Sequence, residues 1–155
     1  RVIDMEEAYR AIEWQVIVLI AGMYTVSLAM VNTGLAGFIG DHMVTLLAPF
    51  GPLGLAVGAY LLTLMLTQVM GGQVTILVTG PIAISAAISL QIDPHAVAVA
   101  AAIGCSTSFL LPIAHPVNIM MIAPANYRFR DFFQIGWRLT LVSFAFLVIG
   151  LLIFW

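Results

Sequence analysis

The sequence predicts an all-α integral membrane fold containing a re-entrant hairpin and a broken transmembrane helix. Three observations predict it. Hydrophobic residues make up 63% of the 155-residue chain and charged residues only 8%, with a mean hydropathy of +1.13, whereas a soluble domain is about 25% charged. Two apolar arms, Leu53 to Met70 and Val74 to Leu90, are joined only by Gly71, Gly72 and Gln73. A further apolar run, Ala96 to Pro124, carries Pro112 and Pro116 in its interior. Each proline lacks the N–H that would close a helical bond to the residue four back. The carbonyls of Ser108 and Pro112 are thereby freed, and in hydrocarbon that is tolerated only beside protein or a water-filled cavity.

The elements follow in chain order. Val2, Met5, Tyr9 and Ile12 recur at helical spacing opposite Asp4, Glu6, Glu7, Arg10 and Glu13, which predicts an interfacial helix over 1–13. Trp14 anchors the membrane surface, and a charge-free first span runs over 14–33, ended by Asn32, Thr33 and Gly34. Leu35, Phe38, Ile39, Met43, Leu46 and Leu47 share one face, predicting a second interfacial helix over 35–48. The hairpin occupies 53–90. Its joint holds no charge, so a tip ending inside the membrane fits better than a cytoplasmic loop between two full spans, although the length of the arms allows both. Gln91, Asp93 and Pro94 form a turn, the broken helix covers 95–124, NYRFRD at 126–131 returns the chain to water, and a last span covers 132–155, with Trp137 and Trp155 at its two interfaces.

Charge placement predicts the orientation. All five basic residues are arginines, Arg1, Arg10, Arg128, Arg130 and Arg138. They fall on one side if the first span runs outward, the hairpin enters from outside and the broken helix runs back inward, which puts the N-terminus in the cytoplasm of a multi-pass inner-membrane protein. Asp41 and Asp93 are then external. The single cysteine, Cys105, excludes an internal disulfide, and the three histidines lack metal-ligand spacing. Beginning on Arg with no signal-peptide pattern, the chain reads as the C-terminal half of a longer permease.

The chemistry centres on STSFLLPIAHPVN at 106–118. Ser106, Thr107, Ser108, His115 and Asn118 offer neutral oxygen and nitrogen groups without a carboxylate or amine, a set suited to an alkali cation or an anion. Asn118 either holds a ligand or caps the resumed helix. His115 is a hydrogen-bonded filler or a proton carrier. The second arm begins at Gln73 to Thr75, so its first N–H groups and positive dipole end face the membrane interior, where an anion can be held. The bland alternative is that Gly71 and Gly72 only allow close packing. Thr75 and Thr79 hydroxyls are expected to bond their own turn.

The run GCSTSFLLPIAHPVNIMMIAPANYRF resembles the second repeat of the divalent-anion/sodium symporter family, also called citrate-transporter-like permeases. Pro112, Ala114, His115, Pro116 and Asn118 match that family's unwound segment. GGQVTILVTGPIAI resembles its second hairpin, and Trp14 with Ala21 to Met23 the preceding span. The resemblance implies a secondary transporter, with cation-coupled uptake of a small divalent anion such as a dicarboxylate or sulfate. The site expected on these grounds has anion contacts at Gly72, Gln73, Val74, Thr75, Thr107 and Asn118. Sodium would meet Ser108, Pro112, His115 and Asn118, partly through backbone carbonyls. The resemblance further implies a first repeat elsewhere in the same protein and a homodimer in the lipid bilayer; there is no cofactor beyond a coupling ion and no nucleic-acid partner. One departure stands out. The family's hairpin tip carries Ser-Asn-Thr or Asn-Asn where this chain has Gly71, Gly72 and Gln73, so this half is expected to bind sodium weakly, and Gly72→Asn to strengthen it. The rivals are a cation/proton antiporter or arsenite exporter, which would need a carboxylate within a span, a structural membrane subunit, and an intramembrane hydrolase built on Ser106 and His115, which lacks an acidic orienter.

Overall fold

A computed structural model describes residues 4–12, 14–115, 117–119, 122 and 127–154. Among them every regular element is helical. The helices are α1 (Met5–Ala11), α2 (Trp14–Asn32), α3 (Leu35–Leu47), α4 (Gly51–Met70), α5 (Gly72–Ser89), α6 (Pro94–Ser106) and α7 (Phe129–Phe154), with short 3-10 turns at Ala48–Phe50 and Pro112–Ala114. Residues 117–119 and 122 are also helical. By length and composition α4, α5 and α7 are apolar enough to cross a membrane.

Local chemistry accounts for the boundaries. Gly34, at φ +76, turns the chain from α2 into α3, a conformation that costs a residue with a Cβ more than it costs glycine. Pro52 occupies the first turn of α4, where its missing N–H is harmless. Asp93 caps α6 by accepting the His95 N–H at 2.9 Å, with Pro94 next in line. The last helix starts at Phe129, three residues before the expected 132. Asp131 accepts the Arg128 N–H at 2.8 Å and so organises an extra turn that hydropathy alone does not reveal.

The core is the packing of α4 on α6, with α5 and α7 closing over it. Leu55, Ala59, Tyr60 and Leu64 on α4 meet Val97, Ala100 and Ala101 on α6, all buried. Small side chains let the two backbones approach closely. At Gly104 an added Cβ would lie only 2.7 Å from the Tyr60 carbonyl oxygen, so no other residue fits that crossing without a shift. The Tyr60 ring packs on Phe144 of α7 with centroids 5.7 Å apart. On the far side of α5, Gly40 of α3 sits against Ala86 and Ile82, and Asp41 accepts the Ser89 hydroxyl at 3.0 Å. The long exposed apolar faces of α2 and α7 suit a hydrocarbon solvent.

Candidate functional site

The break in the third apolar run begins earlier than its prolines require. α6 stops at Ser106, and Thr107, at φ −86 and ψ 64, turns the chain out of the helix. Leu111 is extended at φ −121 and ψ 141, as the residue before a proline tends to be. The intervening backbone is held by side chains. Asn118 Nδ2 donates to the Ser108 carbonyl at 2.8 Å and to the Leu111 carbonyl at 3.4 Å. Gln68 Nε2 donates to the Thr107 carbonyl at 2.8 Å, and Gln68 Oε1 accepts the Leu110 N–H at 3.2 Å. The Ser108 carbonyl, expected to be free, is therefore partnered. Pro112 opens a 3-10 turn in which Ala114 N–H meets the Leu111 carbonyl at 3.2 Å. Pro116 lies outside the described residues.

The hairpin tip docks on this break. Gly71 adopts φ +78 and ψ 152 and is the single residue between α4 and α5. A Cβ on it would stand 3.6 Å from the Ala114 carbonyl oxygen. Gly72 approaches still closer, since a Cβ there would overlap the Cys105 carbonyl oxygen. The expected benefit of an Asn at 72 is removed by that contact, because the added side chain would push on backbone rather than reach a ligand. Thr75 N–H closes the first bond of α5 onto the Gly71 carbonyl at 3.1 Å. The N–H groups of Gly72, Gln73 and Val74 precede that ladder, as the first donors of any helix do.

The remaining expected residues are placed as follows. Thr75 is buried, and its hydroxyl donates to the Gly71 carbonyl at 2.8 Å; the Thr79 hydroxyl donates to the Thr75 carbonyl at 2.9 Å. Thr107, 2% exposed, donates through its hydroxyl to the Ile103 carbonyl at 2.7 Å and lies 3.4 Å from the Ser143 hydroxyl. Ser106 is exposed and bonds back to the Ala102 carbonyl. His115 is exposed, and its Nδ1 accepts the Val117 N–H at 3.3 Å, which caps the resumed helix. Asn118 also borders a cleft of about 190 Å³ against Tyr127, Asp131, Phe132 and Gly136. The structure thus brings Gly71 and Gly72 onto the break at Cys105 and Ala114, and joins Asn118 to Ser108. Gln73 is exposed.

Two residues that sequence reasoning missed complete the arrangement. Gln68 is a lone amide near the end of an apolar arm, and a buried amide in a membrane helix needs a partner, a signal that pointed to it. Gly136 of α7 presses on the unwound stretch, where a Cβ would overlap the Phe109 carbonyl oxygen; nothing in the sequence around it names that partner. Among the described residues no three His, Cys, Asp or Glu side chains group as metal ligands. The site offers backbone dipoles, hydroxyls and amides.

Comparison with known proteins identifies the family. The sequence profile of the citrate transporter family matches residues 1–104. The uncharacterized transporter YfbS of Escherichia coli is 30% identical over 149 residues, which is 96% of this chain and 24% of that protein. A probable sodium/sulfate cotransporter 3 of Chlamydomonas reinhardtii is 30% identical over 147 residues, 91% of this chain and 16% of that protein. The sodium-dependent dicarboxylate transporter SdcS of Staphylococcus saprophyticus is 23% identical over 149 residues, 96% of this chain and 28% of that protein. The chain therefore spans between 16% and 28% of the length of these three relatives. With two thirds of its residues under the profile, the chain belongs to the citrate transporter family.

Proposed function

We propose that this chain is one repeat of a secondary active transporter that takes up a small divalent anion, sulfate first and dicarboxylates second, driven by sodium. The observation that carries the reading is the docking of the hairpin tip on the helix break. The leading N–H groups of α5 stand beside a stretch whose backbone has left the helix, with neutral side chains around it. Such an N-terminus favours negative charge, and carbonyl and hydroxyl oxygens suit a hard cation. Anion contacts fall to Gly72, Gln73, Val74, Thr75, Thr107 and Asn118. Sodium falls to carbonyl oxygens near Ser108 and Pro112 and to the Asn118 amide oxygen, with His115 at the rim. Sulfate is put first because the relative named for sodium and sulfate is 30% identical and the one named for dicarboxylates 23%.

The hairpin is re-entrant in this reading, and the second half of the site comes from another repeat of the same protein, in line with relatives several times longer than this chain. The protein spans the inner membrane several times with its N-terminus in the cytoplasm, and works as a homodimer. Uptake of labelled sulfate and succinate into proteoliposomes holding the full-length protein tests the reading. Accumulation is expected only with sodium outside; uptake that is indifferent to sodium but follows a proton gradient would replace the coupling ion, and uptake of neither anion would remove the reading.

A further inference from the structure

Gln68 stands in the last turn of α4, just before the hairpin tip, and is 6% exposed. Its amide nitrogen donates to the Thr107 carbonyl at 2.8 Å and to the Leu64 carbonyl of its own helix at 3.2 Å, while its amide oxygen accepts the Leu110 N–H at 3.2 Å. One planar amide thus serves both an acceptor at the end of α6 and a donor inside the unwound stretch. A side-chain amide carries the same donor and acceptor pair as a peptide group, so Gln68 stands in for the helical turn that Thr107 to Leu110 lacks. Gly136 holds the same stretch from α7, against Phe109 and Leu110. A buried amide in an apolar helix is costly unless satisfied, and here every stated partner beyond its own turn belongs to the break.

We infer that Gln68 is a positioning residue of the transport site. By bonding Thr107 and Leu110 it keeps the break unwound and its remaining oxygens at fixed separations, so that the coupling cation meets a prebuilt set instead of ordering one. The inference rests on the transport reading above for its kinetic consequence. The clamp itself does not.

Gln68→Met keeps the length of the side chain and removes both hydrogen-bonding functions, leaving the Thr107 carbonyl and the Leu110 N–H without partners. In full-length protein in proteoliposomes, with labelled sulfate as probe, the external sodium concentration giving half-maximal uptake should rise about tenfold or more, as expected for two lost buried bonds. Maximal uptake per transporter should change far less. A residue important only for packing would lower the amount of folded transporter and the maximal rate together, with half-saturation unchanged; that outcome overturns the inference. If Gln68→Met does not reach the membrane, the unmodified protein decides by amide exchange. Leu110 exchanging as slowly as the buried turns of α4 supports the clamp, and Leu110 exchanging as fast as the Gln91 to Asp93 turn refutes it. Sulfate and succinate both failing to enter with the unmodified protein would count against the transport reading, while amide exchange would still judge the clamp.

Discussion

In the proposed site the two ends of the Asn118 amide have different work. The nitrogen is committed to the carbonyls of Ser108 and Leu111, so only the oxygen remains for a cation. Replacing Asn118 with Ala leaves a carbonyl of the buried Ser108 without its donor, a cost of about 1–2 kcal/mol, too small by itself to empty the membrane of transporter. Asn118→Ala is therefore expected to lower sulfate uptake per molecule at least tenfold, with surface expression within about twofold of normal. Expression that collapses while uptake per molecule is retained would reduce Asn118 to a strut. Gly72 makes a sharper demand. Its Cα hydrogen faces the Cys105 carbonyl with no room for a methyl group, so Gly72→Ala must part the tip from the break, a strain of about 1–3 kcal/mol for overpacking of this kind. Thermal unfolding in detergent should fall by several degrees in Gly72→Ala and further in Gly72→Asn. A Gly72→Asn transporter with normal stability and higher sodium affinity would show the tip to be looser than this contact allows.

At the scale of elements, glycines set how closely the hairpin, the break and their neighbours approach, and amides hold the unwound backbone. The α4–α6 crossing shows it. Gly104 admits the Tyr60 backbone at a distance no other residue allows, so Gly104→Leu should displace α6 and destabilise the folded protein by about 1–3 kcal/mol or more, read as loss of folded transporter on size-exclusion chromatography. Normal recovery with unchanged uptake would contradict that packing. Much of this architecture was legible beforehand. Apolar stretches bounded by Asn32 to Gly34, by Gly71 and Gly72, and by Gln91 to Pro94 mark helices that the structure places within a few residues, because burial in hydrocarbon leaves few polar clusters and those gather at helix ends. The break was legible only in part. Prolines report which N–H groups are missing, whereas Thr107, five residues before Pro112, unwinds because Gln68 and Asn118 supply other partners, and those contacts span 39 and 10 residues of sequence. Gly104 and Gly136 escaped for the same reason. A glycine states that something comes near, and never what.

For the molecule as a whole, the arginine pattern and the packing bear on the same question of which ends face which side. Asp41 holds Ser89 at the end of α5 that leads into the Gln91 to Asp93 turn, so α3 and that turn share one end of the bundle. From there α6 runs 13 residues, about 20 Å at the helical rise, before the break, and the resumed helical residues at 117–119 and 122 carry the chain on toward Arg128 and Arg130. If that path crosses the membrane, His42 and Gln91 lie outside and Arg130 inside, as the excess of arginine on the cytoplasmic side requires. His42, Gln91 and Arg130 are all exposed, so each can be replaced by cysteine with little disturbance once Cys105→Ala has removed the chain's own thiol. Asp41 and Asp93 serve less well, because one holds Ser89 and the other caps α6. In intact cells a membrane-impermeant maleimide should label cysteines at 42 and 91, and label one at 130 only after permeabilisation. Labelling of 91 and 130 from the same face would mean that the broken helix enters and leaves on one side. The opposite placement of Gln91 and Arg130, and with it the orientation read from the arginines, would then be excluded.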